Sequence, residues 1–125
     1  MNSKDDEKTE IRKEELENLL LAWRDGTMSG LELHEWAELN YLPLSQIMGP
    51  GCPHYTAYAM GIILSQLDFS EPKADSSKFA IDLLNTSIDD FGSRLRNFID
   101  NCFGPIDEVE FDDAMERLRS FKSER

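Results

Sequence analysis

Cysteine and histidine are scarce in this chain, with two of each in 125 residues. Structural zinc sites draw on four such ligands in paired spacings. A zinc centre would therefore need all four to converge from distant positions. Cys52 and Cys102 are also too few for a disulfide-dense scaffold, and read as bystander or buried thiols. Cationic side chains are short as well: 13 Lys and Arg stand against 25 Asp and Glu, for a net charge of −12. A field of that sign repels nucleic-acid phosphates and anionic lipid heads, and speeds encounter with a basic protein.

Long apolar runs are absent, so no segment reads as a bilayer span, and the polar N-terminus "MNSKDDEKTEIRKEE" lacks the apolar region of a secretory signal. The expectation is a soluble, cytoplasmic protein. There is no phosphate-cradling glycine loop, dinucleotide fingerprint, serine elbow or His-Glu metalloprotease helix. No cofactor and no catalytic residues are assigned, and the chain reads as a non-enzyme. No alternating run is long enough to argue for a sheet.

Helical periodicity is plentiful. Residues 1 to 9 form a charged, flexible lead-in to one helical domain over 10 to 125. From Ile11, the residues Leu16, Leu19, Leu20 and Trp23 make the stripe of a first helix that Gly26 ends. Ser29 and Glu32 have capping-box spacing for a second, with Leu33, Trp36, Ala37 and Tyr41 on one face and Pro43 as the stop. The short link between them predicts a helical hairpin with Trp23 and Trp36 both inward.

A Pro- and Gly-rich loop leads to "HYTAYAMGIILSQLDF", whose few charges predict the central, most buried helix. Gly61 inside it costs roughly 1 kcal/mol relative to Ala, which predicts that another helix crosses closely there. Phe79, Ala80, Leu83 and Leu84 mark a short helix. Ser87 and Asp90 repeat the capping-box spacing before a stripe from Ile88 to Cys102. Phe111, Ala114, Met115, Leu118 and Phe121 mark the last helix. The sum is an all-α, irregular antiparallel bundle of about six helices.

The stretch "GPIDEVEFDDAMERL" holds the densest acids. A calcium loop starting at Asp107 would place Val109 and Phe111 at ligand positions and Asp112 where glycine is required, so that reading fails. Asp107 as N-cap, Glu110 as its capping-box partner and an Asp113–Arg117 pair explain the cluster as a helix start. Glu32, Glu35 and Glu38 on the second helix, and Asp89 before the fifth, have no basic neighbour four residues on, and Asp90 beside Asp89 adds to the same surplus. The acids offered as a partner-binding surface are thus Glu32, Glu35, Glu38, Asp89, Asp90, Asp107, Glu108, Glu110, Asp112 and Asp113. Cys52 with His54 is the one pair with the look of a nucleophile and base, and its turn-rich surroundings favour an incidental thiol.

The segment "LENLLLAWRDGTMSGLELHEWAE", residues 16 to 38, resembles the opening of small bacterial immunity proteins of the contact-dependent growth inhibition and colicin type. The resemblance rests on Leu16, Leu19, Leu20, Gly26, Ser29, Leu33 and Trp36. It implies a small cytoplasmic protein that inactivates a cognate toxin domain, often a basic nuclease, by covering its active site or substrate path. It assigns no individual binding residue. The alternative is an acidic helical adaptor or regulatory subunit that binds a protein partner through the apolar loop "YLPLSQIM", residues 41 to 48.

Overall fold

The computed structural model describes residues 9 to 43 and 45 to 123. The lead-in up to residue 8, and Leu44 within the apolar loop, lie outside the described residues. Among the described residues six helices and a short strand pair follow one another: β1 (Glu10–Ile11), α1 (Lys13–Asp25), α2 (Gly30–Asn40), β2 (Ile47–Met48), α3 (His54–Phe69), α4 (Ser77–Leu84), α5 (Phe91–Cys102) and α6 (Glu108–Ser123). The fold is all-α in character, a small helical bundle.

The two strands correct the expectation of a chain without sheet. They pair in parallel, with Glu10 opposite Ile47 and Ile11 opposite Met48. The Ile47 amide donates to the Thr9 carbonyl (2.9 Å) and the Gly49 amide to the Ile11 carbonyl (2.8 Å). Ile11 therefore belongs to a strand and not to the first helix, and its side chain is fully buried. Two residues leave no periodicity to read, because pairing of this kind is set by a partner more than thirty residues away.

Helix ends follow local chemistry closely. Gly26 closes α1 at φ +85°, a left-handed position that glycine occupies without a Cβ clash. At α2 the Glu32 amide donates to Ser29 Oγ (3.1 Å) and the Ser29 amide to Glu32 Oε1 (2.8 Å), a complete capping box. At α6 the Asp107 carboxylate accepts from the Val109 amide (2.7 Å) and the Glu110 amide (3.3 Å). Before α5 the Ser87 hydroxyl accepts the Asp90 amide (3.2 Å) and donates to the Asp90 carboxylate (3.2 Å), so the reciprocal bond runs through the hydroxyl.

Packing departs from the expected hairpin. α2 lies along α3 and α1 lies along α4, while α1 and α2 touch little. Trp23 is buried as expected, but Trp36 is only half-buried. His34 ties α2 to the end of α3, its Nδ1 lying 2.6 Å from the Leu67 carbonyl, which can only accept. α3 contributes Ala59, Met60, Ile63, Leu64 and Leu67 to the core, and α4 and α5 close over it with Leu83, Leu84, Phe91, Leu95 and Phe98. Cys102 is a core residue, and burial pushes its thiol pKa up.

The close helix crossing expected at Gly61 occurs elsewhere. A Cβ at Gly61 would meet nothing within 4 Å. A Cβ at Gly92 would lie 2.9 Å from Met115 Sδ, so it is α5 that lets α6 approach through a glycine.

Candidate protein-docking groove

α3 is apolar on more than one face, and that property builds the site. Its inward stripe enters the core, and a second set, Tyr58, Ile62 and Phe69, follows at spacings of four and seven residues, with Tyr58 and Ile62 half-buried against the core's edge and Phe69 exposed. Such a face normally meets another helix. Here α6 passes alongside it and touches it only lightly.

The result is a groove. One hollow of about 490 Å³ is bounded by Tyr58, Ile62, Ser65, Phe69 and, across from them, Asp107, Glu110 and Ala114 of the α6 start. A second of about 440 Å³ runs past Gly61 to Tyr41, Pro43 and Met48, with Arg117 on its edge. The two share Tyr58, Ile62 and Ser65, so both lie against α3. From Tyr58 to Phe69 the α3 wall extends about 16 Å at 1.5 Å per residue. Phe69 at the end is 84% exposed, an unusual position for so large an apolar ring.

The α6 wall is held by aromatics and two ion pairs, Arg96–Glu108 and Lys122–Asp89. Phe121 meets Tyr58 edge to face at a centroid distance of 5.6 Å, and Tyr58 stacks on Phe91 at 5.8 Å. Arg96 of α5 lies over the Phe111 ring at 4.2 Å and grips Glu108 with both terminal nitrogens, at 2.7 and 3.0 Å. The hydrogen bonds from Arg96 hold the Glu108 carboxyl below its usual range. Burial pushes the Tyr58 phenol pKa up, opposed by nearby Arg117 and reinforced by Asp113. Burial, then Asp68, does the same for Tyr41. Both phenols in the groove thus stay protonated, available as hydrogen-bond donors.

The acids named from sequence are scattered over the surface. Asp107 and Glu110 meet in the groove, with Asp113 close enough to act on Tyr58. Glu108 is engaged by Arg96, and Asp112 is exposed on the same helix. Glu32 is committed to its capping box, Glu38 stands 3.5 Å from His34, and Glu35 is exposed; none of the three borders the groove. Asp89 pairs with Lys122 at 3.7 Å, and Asp90 is held by Ser87. The Asp113–Arg117 ion pair expected along α6 is not made among the described residues. Arg117 lies over the Tyr58 ring instead, at 5.6 Å.

Cys52 and His54 border a separate hollow with Ser87, Asp89 and Phe121, where the His54 ring meets Phe121 edge to face at 5.9 Å. Among the described residues no group of three His, Cys, Asp or Glu side chains could hold a metal ion, and no helix is long and apolar enough to cross a membrane.

Tyr58, Ile62, Ser65 and Phe69 carry no charge or motif that marks them in the sequence. The signal that marks them is the second apolar stripe on α3, visible in "YAMGIILSQLDF" once the core stripe is subtracted. Compared with family models, with curated proteins and with solved structures, the chain matches none.

Proposed function

We propose that the protein is a binding inhibitor of the immunity-protein or antitoxin kind, which docks on a basic toxin domain, foremost a nuclease, in the bacterial cytoplasm and blocks it without catalysis. The observation that carries the reading is the union of a net charge of −12 with an open, apolar-floored groove whose mouth bears Asp107 and Glu110. Carboxylates can stand in for phosphates in a cationic cleft, and apolar surface beneath them supplies the buried anchors on which affinity depends. The remaining acids, including Glu35 on α2 and Asp112 on α6, raise the rate of encounter.

The test is protection. Co-expression with the toxin domain encoded by the neighbouring reading frame should restore growth, and the purified pair should associate at a rate that falls with added salt. Cells that die despite abundant soluble protein would defeat the reading. Charge reversal should use Glu35 and Glu38 and leave Glu32 in place, because Glu32→Lys would also break the α2 cap.

The adaptor reading keeps one specific observation in its favour. Ile47 is 61% exposed, and Tyr41, Pro43 and Met48 of the same loop border the far end of the groove. An adaptor of that kind would protect residues 41 to 48 from hydrogen exchange on binding while leaving α6 unchanged.

A further inference from the structure

From this groove we infer that the partner engages the chain through a basic amphipathic helix of about three turns laid along α3, its apolar stripe on Tyr58, Ile62 and Phe69 and its cations on Asp107 and Glu110. The inference rests on the inhibitor reading for the partner's positive charge. The helical shape of the occupant comes from the groove itself.

Shape is the first argument. The α3 wall is about 16 Å long at 1.5 Å per residue. Its apolar groups recur at helical spacing, the pattern that receives another helix's i, i+4, i+7 side chains. Gly61, three residues on from Tyr58, has nothing within 4 Å of where its Cβ would be, which leaves α3 low at the point where a partner helix would cross. Among the described residues no helix fills that place: α5 lines the hollow with Leu95 and Ile99, and α6 borders it along its edge.

Charge is the second. Glu110 and Asp113 have no ion-pair partner among the described residues, and Asp107 meets only backbone amides of its own helix start. Several other acids are matched internally: Glu10 to Arg12, Asp82 to Arg94, Glu108 to Arg96 and Asp89 to Lys122. The groove's acids are therefore free to take Lys or Arg from outside. Arg117 stands at the other end, and there the occupant would present an acid or its own carbonyl terminus. An apolar floor with opposite charges at its two ends gives the occupant a direction as well as a composition.

The experiment titrates the isotope-labelled full chain with synthetic twelve-residue peptides, read by amide chemical shifts and dissociation constants. The first peptide carries Leu at i, i+4 and i+7 with two Lys at its N-terminal end; the second replaces Lys by Glu; the third scrambles the first. The first should bind and move the amides of Gly61, Ser65, Phe69 and Glu110, and the other two should bind at least tenfold more weakly. Gly61→Leu should weaken the first peptide at least tenfold while thermal stability holds or rises, because the new side chain fills open space. Glu110→Lys, at an exposed site, should reverse the preference between the first two peptides.

Equal binding of the scrambled peptide, indifference to Gly61→Leu, or shifts confined to Glu32 to Glu38 would overturn the inference. A dimer in sedimentation that Gly61→Leu dissolves would assign the groove to a second copy and overturn it too. Toxin protection separates the two readings. If Gly61→Leu protects as well as the native chain, the groove is not the docking site although the inhibitor function stands. If neither protects, the function fails and the peptide titration judges the groove alone.

Discussion

The side of the molecule built from α1, α4 and α5 and the side bordered by α6 are held together by different means. On the first, Leu16, Leu20, Leu83, Phe91 and Phe98 are buried to within a few percent and touch residues from several elements. On the second, α6 buries only Ala114 and Leu118, and depends otherwise on half-buried aromatics and two largely exposed ion pairs, Arg96–Glu108 and Lys122–Asp89. Interior packing is worth several kcal/mol per large residue, and an exposed ion pair is worth little. Stability is therefore concentrated in one half, and an open groove with an apolar floor lies in the other.

The contrast can be broken most severely by core truncation. Leu64→Ala should cost about 2–5 kcal/mol in urea unfolding, whereas Leu118→Ala should fall at or below about 2 kcal/mol because α6 can shift to close the gap. Equal losses would mean that α6 is part of the core. Next in size, Gly26→Ala forces a side chain into the left-handed region at φ +85° and should cost about 1–2 kcal/mol.

Two glycine replacements sharpen the comparison. Gly61→Ala should stabilise by about 0.5–1 kcal/mol, as a helix-interior substitution into open space. Gly92→Ala has the same helix-propensity gain but must displace the Met115 thioether, so its thermal midpoint should rise less or fall. The order of the two midpoints is the measurement.

Which of these features the sequence discloses depends on range. The Ser29–Glu32 box, the Asp107 cap, the Gly26 terminus and the core stripes of α1, α3 and α5 are local or periodic, so residue type and spacing specify them. The β1–β2 pair, the partner of α2 and the difference between Gly61 and Gly92 are decided by which distant element arrives, and nothing in the neighbouring residues encodes that. The groove belongs to the second class. Its acids Asp107 and Glu110 were legible as part of an acidic surplus, but their assembly with Tyr58 and Phe69 depends on how α6 lies against α3. The ion pairs of Asp89 and Glu108 were illegible for the same reason, since Lys122 and Arg96 lie outside helical reach in sequence.

The smallest expected effect concerns the Arg96–Glu108 clasp. Its carboxyl pKa is lowered by the bonds to Arg96, so its stabilising contribution is present above the unfolded carboxyl value and is lost as pH falls through the lower folded value. Glu108→Gln should lower the melting temperature slightly at neutral pH, and the two curves should converge on acidification. A difference that grew as pH fell would reverse the sign of this argument.

Native-state hydrogen exchange of the full chain, with and without the Lys-bearing amphipathic peptide, tests the central claim most directly. The two-sided account predicts that the free protein exchanges α6 amides well before those of α1, α4 and α5, and that the peptide slows exchange in α6. Exchange of α6 only through global unfolding, or protection that falls on α2 and leaves α6 unchanged, would contradict it.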